Sequence, residues 1–361
     1  MVPPATGALD RSPWPGRYDS AVMTDHTLDR VTIGRWLAIW AASLFLLVLI
    51  GGGTRLTESG LSITEWKPVT GVIPPLGDAA WTVEFEKYKQ IPQYAQMNSG
   101  MTLGGFKAIY WWEFLHRFWA RFVGVVFVIP LLWLAIKRRI PHDLLPRLGT
   151  LGVLMGLQGA MGWYMVASGL TARVNVSQYR LAAHLSLALV IYLLTVWTAD
   201  ALINGKSGAT GQAARGTLRG MLLIAFLTVL SGAFVAGLRA GKIYNTFPMM
   251  GAGLMPIEYG TMSPWWKDFF ENAASAQFNH RFLAAVTLFT TIAGWVQARH
   301  GASEKLKSRL NLVMLAVLIQ VTIGITVLLL AVPVPVGVAH QAGALLVLTA
   351  LTLALREASA A

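Results

Sequence analysis

Eight runs of about twenty apolar residues dominate this 361-residue chain, near 33–53, 117–136, 148–168, 181–203, 217–238, 280–298, 310–331 and 337–355. A helix of that length spans the hydrocarbon of a bilayer. Irregular backbone does not, because nothing there satisfies its N–H and C=O groups. The expected fold class is therefore all-α, a polytopic membrane protein with eight transmembrane helices. With 55% of its residues hydrophobic and 13% charged, the chain is too apolar for a soluble domain of this size. A net charge of +12 would suit nucleic acid, but Lys and Arg gather in short loops between apolar runs. That placement is a topology signal, so the expected partner is the lipid bilayer and not nucleic acid.

Lys137, Arg138, Arg139 and Arg147 follow the second run, Lys206, Arg215 and Arg219 the fourth, and Arg299, Lys305, Lys307 and Arg309 the sixth. With Arg30 and Arg35 ahead of the first, all fall on one side, which the positive-inside rule makes cytoplasmic. Both termini are then inside. Pro333 and Pro335 force a tight outer turn between the last two runs. Residues 1–30 are polar, rich in proline and aspartate, and lack the apolar core of a signal peptide. They read as a disordered cytoplasmic tail on a protein of the bacterial inner membrane.

The second half of the chain repeats the first. Gly53-Thr54-Arg55 ends the first run and Gly237-Leu238-Arg239 the fifth. Long outer connections follow, 54–115 and 239–279, carrying aromatic residues at helical spacing: Trp81, Phe85 and Tyr88 in one, Trp265, Trp266, Phe269 and Phe270 in the other. These predict short amphipathic helices on the outer surface. Gln158 in the third run is matched by Gln320 in the seventh. Two duplicated four-helix bundles result, over 31–204 and 205–361, in the same orientation because each has an even number of helices.

Four of the seven histidines obey the same repeat. His116 and His280 are each followed by arginine, and His184 and His340 each follow an alanine. An imidazole within a membrane helix is costly unless partnered, so four in register point to two matched sites near the outer surface. The fitting occupants are two iron porphyrins, each ligated by a histidine pair: His116 with His184, and His280 with His340. Zinc or copper would be poorly filled by two imidazoles alone. With no cysteine in the chain, thiolate catalysis, iron–sulfur clusters and thioether-bound haem are excluded. Arg117 and Arg281 are candidates for pairing with porphyrin propionates, with Arg55, Arg173, Arg180 and Arg239 behind them.

The halves differ at one telling position. Three residues before the histidine stands Glu113 in the first half and Gln277 in the second. Three residues on a helix share a face. Glu113 is thus expected to overhang the edge of the first porphyrin, where a carboxylate can move protons or stabilise a developing cation. Alternatively it forms a salt bridge with Arg117 or Arg121. On this basis the first half holds a substrate and the second an electron-relay cofactor.

These residues resemble the haem A synthase family, in its cysteine-free proteobacterial and mitochondrial form. The likeness runs from Gly51 to Leu355. It includes GGTRLTESGLS (52–62), EWKPVTG (65–71), PPL (74–76), EFEKYK (84–89), MTL (101–103), FKAIYWWEFLHR (106–117), NTFPMM (245–250), QFNHR (277–281) and AHQ (339–341). It implies oxidation of the C8 methyl of haem O to a formyl group, giving haem A for terminal oxidase. It further implies that the first histidine pair meets substrate, the second holds haem b, and Glu113 is catalytic. Some relatives carry a cysteine pair in the first outer loop; this chain has none, so a mechanism requiring that pair does not apply to it. The implied partners are haem O and the synthase that supplies it, an electron donor left open between a ferredoxin and a quinol, and a homo-oligomer. The alternatives are a di-haem cytochrome b that only transfers electrons, which four histidines on one side serve poorly, and a transporter, which would need broken helices at mid-membrane.

Overall fold

The computed structural model describes residues 18–172, 176–205 and 212–359. Among them the chain forms eleven α-helices and no strand: α1 (Tyr18–Leu56), α2 (Gly77–Lys89), α3 (Pro92–Met97), α4 (Leu103–Ile136), α5 (Leu145–Ala172), α6 (Gln178–Asn204), α7 (Gln212–Gly237), α8 (Trp265–Glu271), α9 (Ala273–Arg299), α10 (Glu304–Leu329) and α11 (Val334–Ser359). Seven of these, α1, α4, α6, α7, α9, α10 and α11, are long and apolar enough to cross a membrane. The chain is therefore a multi-pass membrane protein. The remaining expected span falls on α5. Its 28 residues reach about 42 Å, but six glycines and Gln158 dilute its apolar content.

Two boundaries differ from the sequence expectation. The α4 helix starts at Leu103, well before 117, and the Thr102 hydroxyl caps it by accepting from Gly105 N at 3.2 Å. Its outer turns are held by aromatic packing: Trp81 and Phe85 of α2 contact Phe106, and Trp81 meets Tyr110 with ring centroids 4.9 Å apart. His116 consequently lies deep within α4, not in its first turns. At the other end of the chain order, α1 begins at Tyr18, so residues 18–30 are helical where a disordered tail was expected. No proline between Pro15 and Pro68 interrupts that helix. Residues 1–17 lie outside the described residues.

Helix α1 packs along α4 and α6, and α5 against α6. In the second half α9 and α11 each pack on both α7 and α10. The halves meet where α6 touches α7 and α11, and α1 touches α11. The buried core follows these contacts, with Leu37, Trp40, Leu218, Leu345, Leu348 and Leu351 essentially inaccessible. Indole donors stitch α1 to α4: Trp36 donates to Val126 O at 2.8 Å, Trp40 to Val123 O at 3.1 Å, and Trp119 to Ser43 O at 2.9 Å. At one end of the bundle Arg309 pairs with Asp200 at 3.1 Å and Lys305 with Glu357 at 3.0 Å.

At the opposite end the halves exchange arginines. Arg55, at the end of α1, donates to the carbonyls of Ala236 and Gly237 at 2.7 and 3.1 Å, satisfying the last turn of α7. Arg239 beyond α7 pairs with Glu58 at 2.8 Å. Gly237 allows this approach, since a Cβ there would stand 2.5 Å from Gln178 Cβ and 2.7 Å from its Cα. The Gly237→Ala variant must therefore open the α6–α7 contact, at a cost of about 1–3 kcal/mol. A lower melting temperature in detergent is the expected result. Gly216→Ala and Gly220→Ala, where a Cβ meets nothing within 4 Å, should show no such loss.

Candidate functional site

Each of the four repeat-matched histidines lies with its ring edge against a glycine of a neighbouring helix. A Cβ built on Gly51 of α1 would stand 2.9 Å from Cε1 of His116 on α4. The same construction gives 3.2 Å from Gly162 of α5 to His184 on α6, 3.1 Å from Gly232 of α7 to His280 on α9, and 2.9 Å from Gly324 of α10 to His340 on α11. These glycines are needed for the absence of a side chain: backbone and imidazole touch directly.

The ring nitrogens are held in different ways. In the second half Ser231 Oγ lies 2.9 Å from His280 Nδ1, and Thr228 O lies 3.1 Å from it. The Gln320 amide stands 3.1 Å from His340 Nδ1 and donates to the His340 carbonyl at 2.9 Å. In the first half Gln158 reaches His184 Nε2 at 3.2 Å and its carbonyl at 3.1 Å. The Nδ1 atoms of His116 and His184 are both buried without a partner.

His280 and His340 stand edge-on to one another, with ring centroids 6.3 Å apart and planes at 86°. That separation suits one metal between two imidazoles, since two metal–nitrogen bonds of about 2 Å plus two ring radii come to about 6 Å. Among the described residues no cluster of three or more His, Cys, Asp or Glu could hold a metal ion. A pair of imidazoles without further protein ligands fits a metal that brings its own equatorial donors, as a porphyrin iron does. The orphaned buried nitrogens and the glycine-backed rings fit such a group.

Outside the histidines, α4 grips the outer loop through a ladder spaced by single turns. Glu113, 2% exposed, accepts at Oε2 from Ser62 Oγ and Ile63 N, both at 2.8 Å. At Oε1 it accepts from Arg117 Nε at 3.0 Å and Nη2 at 2.6 Å. Arg117 also donates to the carbonyls of Ile63 and Glu65, and Arg121 to those of Lys67 and Pro68. The second half reproduces this with Gln277 donating to Tyr244 O, and Arg281 to the carbonyls of Tyr244, Thr246 and Met249. There the link between the two side chains is absent, leaving Gln277 Oε1 and Arg281 Nε buried without partners.

Arg117 divides its donors between the Glu113 carboxylate, the salt bridge expected as the alternative, and loop carbonyls, whereas Arg281 donates to loop carbonyls alone. Arg55 and Arg239 join the halves. Arg180 contacts Ser168 and lies over the Tyr164 ring, 4.7 Å from its centroid. Arg173 lies outside the described residues. A cleft of about 370 Å³ opens between the outer loop and the Tyr110, Phe114, Arg117 and Arg121 face of α4; His116 does not line it. Sequence reasoning missed the four glycines and Ser231. The matched spacing Gln158-x-x-x-Gly162 and Gln320-x-x-x-Gly324 was a readable sign of two of them.

A family model described as cytochrome oxidase assembly protein matches residues 34–352. A protein of Parvibaculum lavamentivorans named heme A synthase is 48% identical over 315 residues, covering 87% of this chain and 91% of the relative. One of the same name from Nitrosomonas eutropha is 45% identical over 350 residues, covering 94% and 97%. A third, from Rhodospirillum centenum, is 47% identical over 321 residues, covering 88% and 85%.

Removing one partner of a buried ion pair leaves the other charge uncompensated. Arg117→Ala should therefore cost about 3–5 kcal/mol and free the loop from Ser62 to Pro68. Hydrogen exchange of the amides in 62–68 is expected to quicken, with exchange in 244–249 unchanged.

Proposed function

The chain belongs to the cytochrome oxidase assembly family, and on that premise we propose that it is an oxidoreductase converting haem O to haem A by oxidising the C8 methyl group to a formyl group. The observation that carries the reading is the histidine arrangement: half-buried imidazoles, each seated on a glycine, with no third protein ligand among the described residues. The substrate porphyrin belongs with His116 and His184, and a resident haem b with His280 and His340. The eight long helices, α5 included, form two four-helix bundles of common orientation, related by duplication. Basic loop residues support both termini on the cytoplasmic side of a bacterial inner membrane, with the histidines towards the outer side.

The substrate supplies an activated methyl group on the porphyrin edge. Its conversion to formyl removes four electrons and adds one oxygen atom, by two hydroxylations and loss of water from the geminal diol. A haem b held by His280 and His340 would supply one-electron transfer for this oxidation, exchanging electrons with a ferredoxin or a quinol/quinone couple. Glu113 stands three residues before His116, one turn outward on α4. Its carboxylate, held in place by Ser62, Ile63 and Arg117, is positioned to stabilise positive charge developing at the porphyrin edge and to take up released protons. In the second half Gln277 keeps the shape without the charge, in keeping with a cofactor that is not consumed.

Acid–acetone extraction of the purified protein, followed by chromatography and mass spectrometry, is expected to yield haem O or haem A beside haem b. Membranes holding the protein and supplied with haem O should form haem A; failure to do so, with haem b alone in the extract, would leave a di-haem electron carrier. Glu113→Gln is expected to keep its pigment and lose about 10²–10⁴-fold in conversion rate. Full activity in that variant would remove Glu113 from the mechanism.

A further inference from the structure

Ser231 Oγ donates to Thr228 O at 2.7 Å. Its proton is thereby committed, so towards His280 Nδ1, 2.9 Å away, the hydroxyl can only accept. Thr228 O, at 3.1 Å from the same nitrogen, is also an acceptor. Both contacts place the ring proton on Nδ1 and leave the Nε2 lone pair free for a metal. An outer partner of this kind fixes the ring and strengthens the ligand.

Nothing equivalent holds His116. The residue before its glycine is Ile50, where the second half has Ser231 before Gly232, and His116 Nδ1 is buried with no partner. The second ligands do not carry the contrast: the amide nitrogens of Gln320 and Gln158, both donors, stand at His340 Nδ1 and His184 Nε2.

We infer that the two histidine pairs are set for different residence times, and that Ser231 and Ile50 are the positioning residues that set them. His280 is braced, so that its pair retains a porphyrin. His116 is left unbraced, so that ligand exchange releases a porphyrin after each turnover. This rests on the assignment of a substrate and a resident cofactor given above. It adds the means by which one fold keeps one and lets go of the other.

The test uses the full-length protein in detergent, saturated with ferric haem b and then mixed with excess apomyoglobin as haem acceptor. Two phases of haem loss are expected, differing by about tenfold or more, because losing an outer ligand partner typically weakens metal binding 10–100-fold. Ser231→Ala should quicken the slow phase, and Ser231→Thr, which keeps the hydroxyl, should restore it. Ile50→Ser, which offers His116 an acceptor, should slow the fast phase. Equal rates for the two haems, or a slow phase indifferent to Ser231→Ala and a fast phase indifferent to Ile50→Ser, would overturn the inference while haem A formation from haem O persists. Binding of a single haem at saturation, with no haem A formed, would instead overturn the underlying assignment.

Discussion

The contact between an imidazole edge and a glycine backbone sets the geometry of this protein. Hydrocarbon offers no partner for either nitrogen of a neutral imidazole, so a histidine in a membrane helix must be placed against something that confines it. Here each ring is confined by bare backbone, at Gly51, Gly162, Gly232 and Gly324. One such contact falls in each of the helix pairs α1/α4, α5/α6, α7/α9 and α10/α11. The spacing within those pairs is therefore set by the ring.

The outer loops depend on a second device. Long connections over a membrane bundle have little apolar surface with which to fix themselves, and their side chains vary in what they can grip. The α4 and α9 helices instead bind the loops by their carbonyls, through Arg117, Arg121 and Arg281. Such anchoring fixes the loop path with little regard to the side chains it carries. In the first half it also resolves the burial of two charges, because Glu113 receives donors from both the helix and the loop. The second half secures its loop with an amide in that place, and the orphaned Gln277 Oε1 and Arg281 Nε are the consequence.

The apolar runs and the helical class could be read from residue type and spacing, since a membrane span is encoded by composition. The outer turns of α4 could not. Lys107, Glu113 and Arg117 depress the hydropathy of that stretch, yet Glu113 and Arg117 neutralise each other once the loop closes over them. The glycines were hidden for another reason. The chain has 35, and only the matched Gln-x-x-x-Gly spacing sets Gly162 and Gly324 apart from the rest. The hold of Arg117, Arg121 and Arg281 on the loops could not be read, because backbone carbonyls have no letter of their own.

The two halves of the chain carry matching histidines in surroundings that differ. Two of the differences bear on the histidines. Helix α9 packs on α10, whereas α4 and α5 share no comparable packing, so the first half is open along one side where the second is closed. Ser231 braces His280, whereas Ile50 leaves His116 unbraced. The half with the looser walls and the looser ligands is also the half with the carboxylate. A site that must admit, alter and discharge a large apolar molecule needs all three properties together, and a site that only relays electrons is better without any of them.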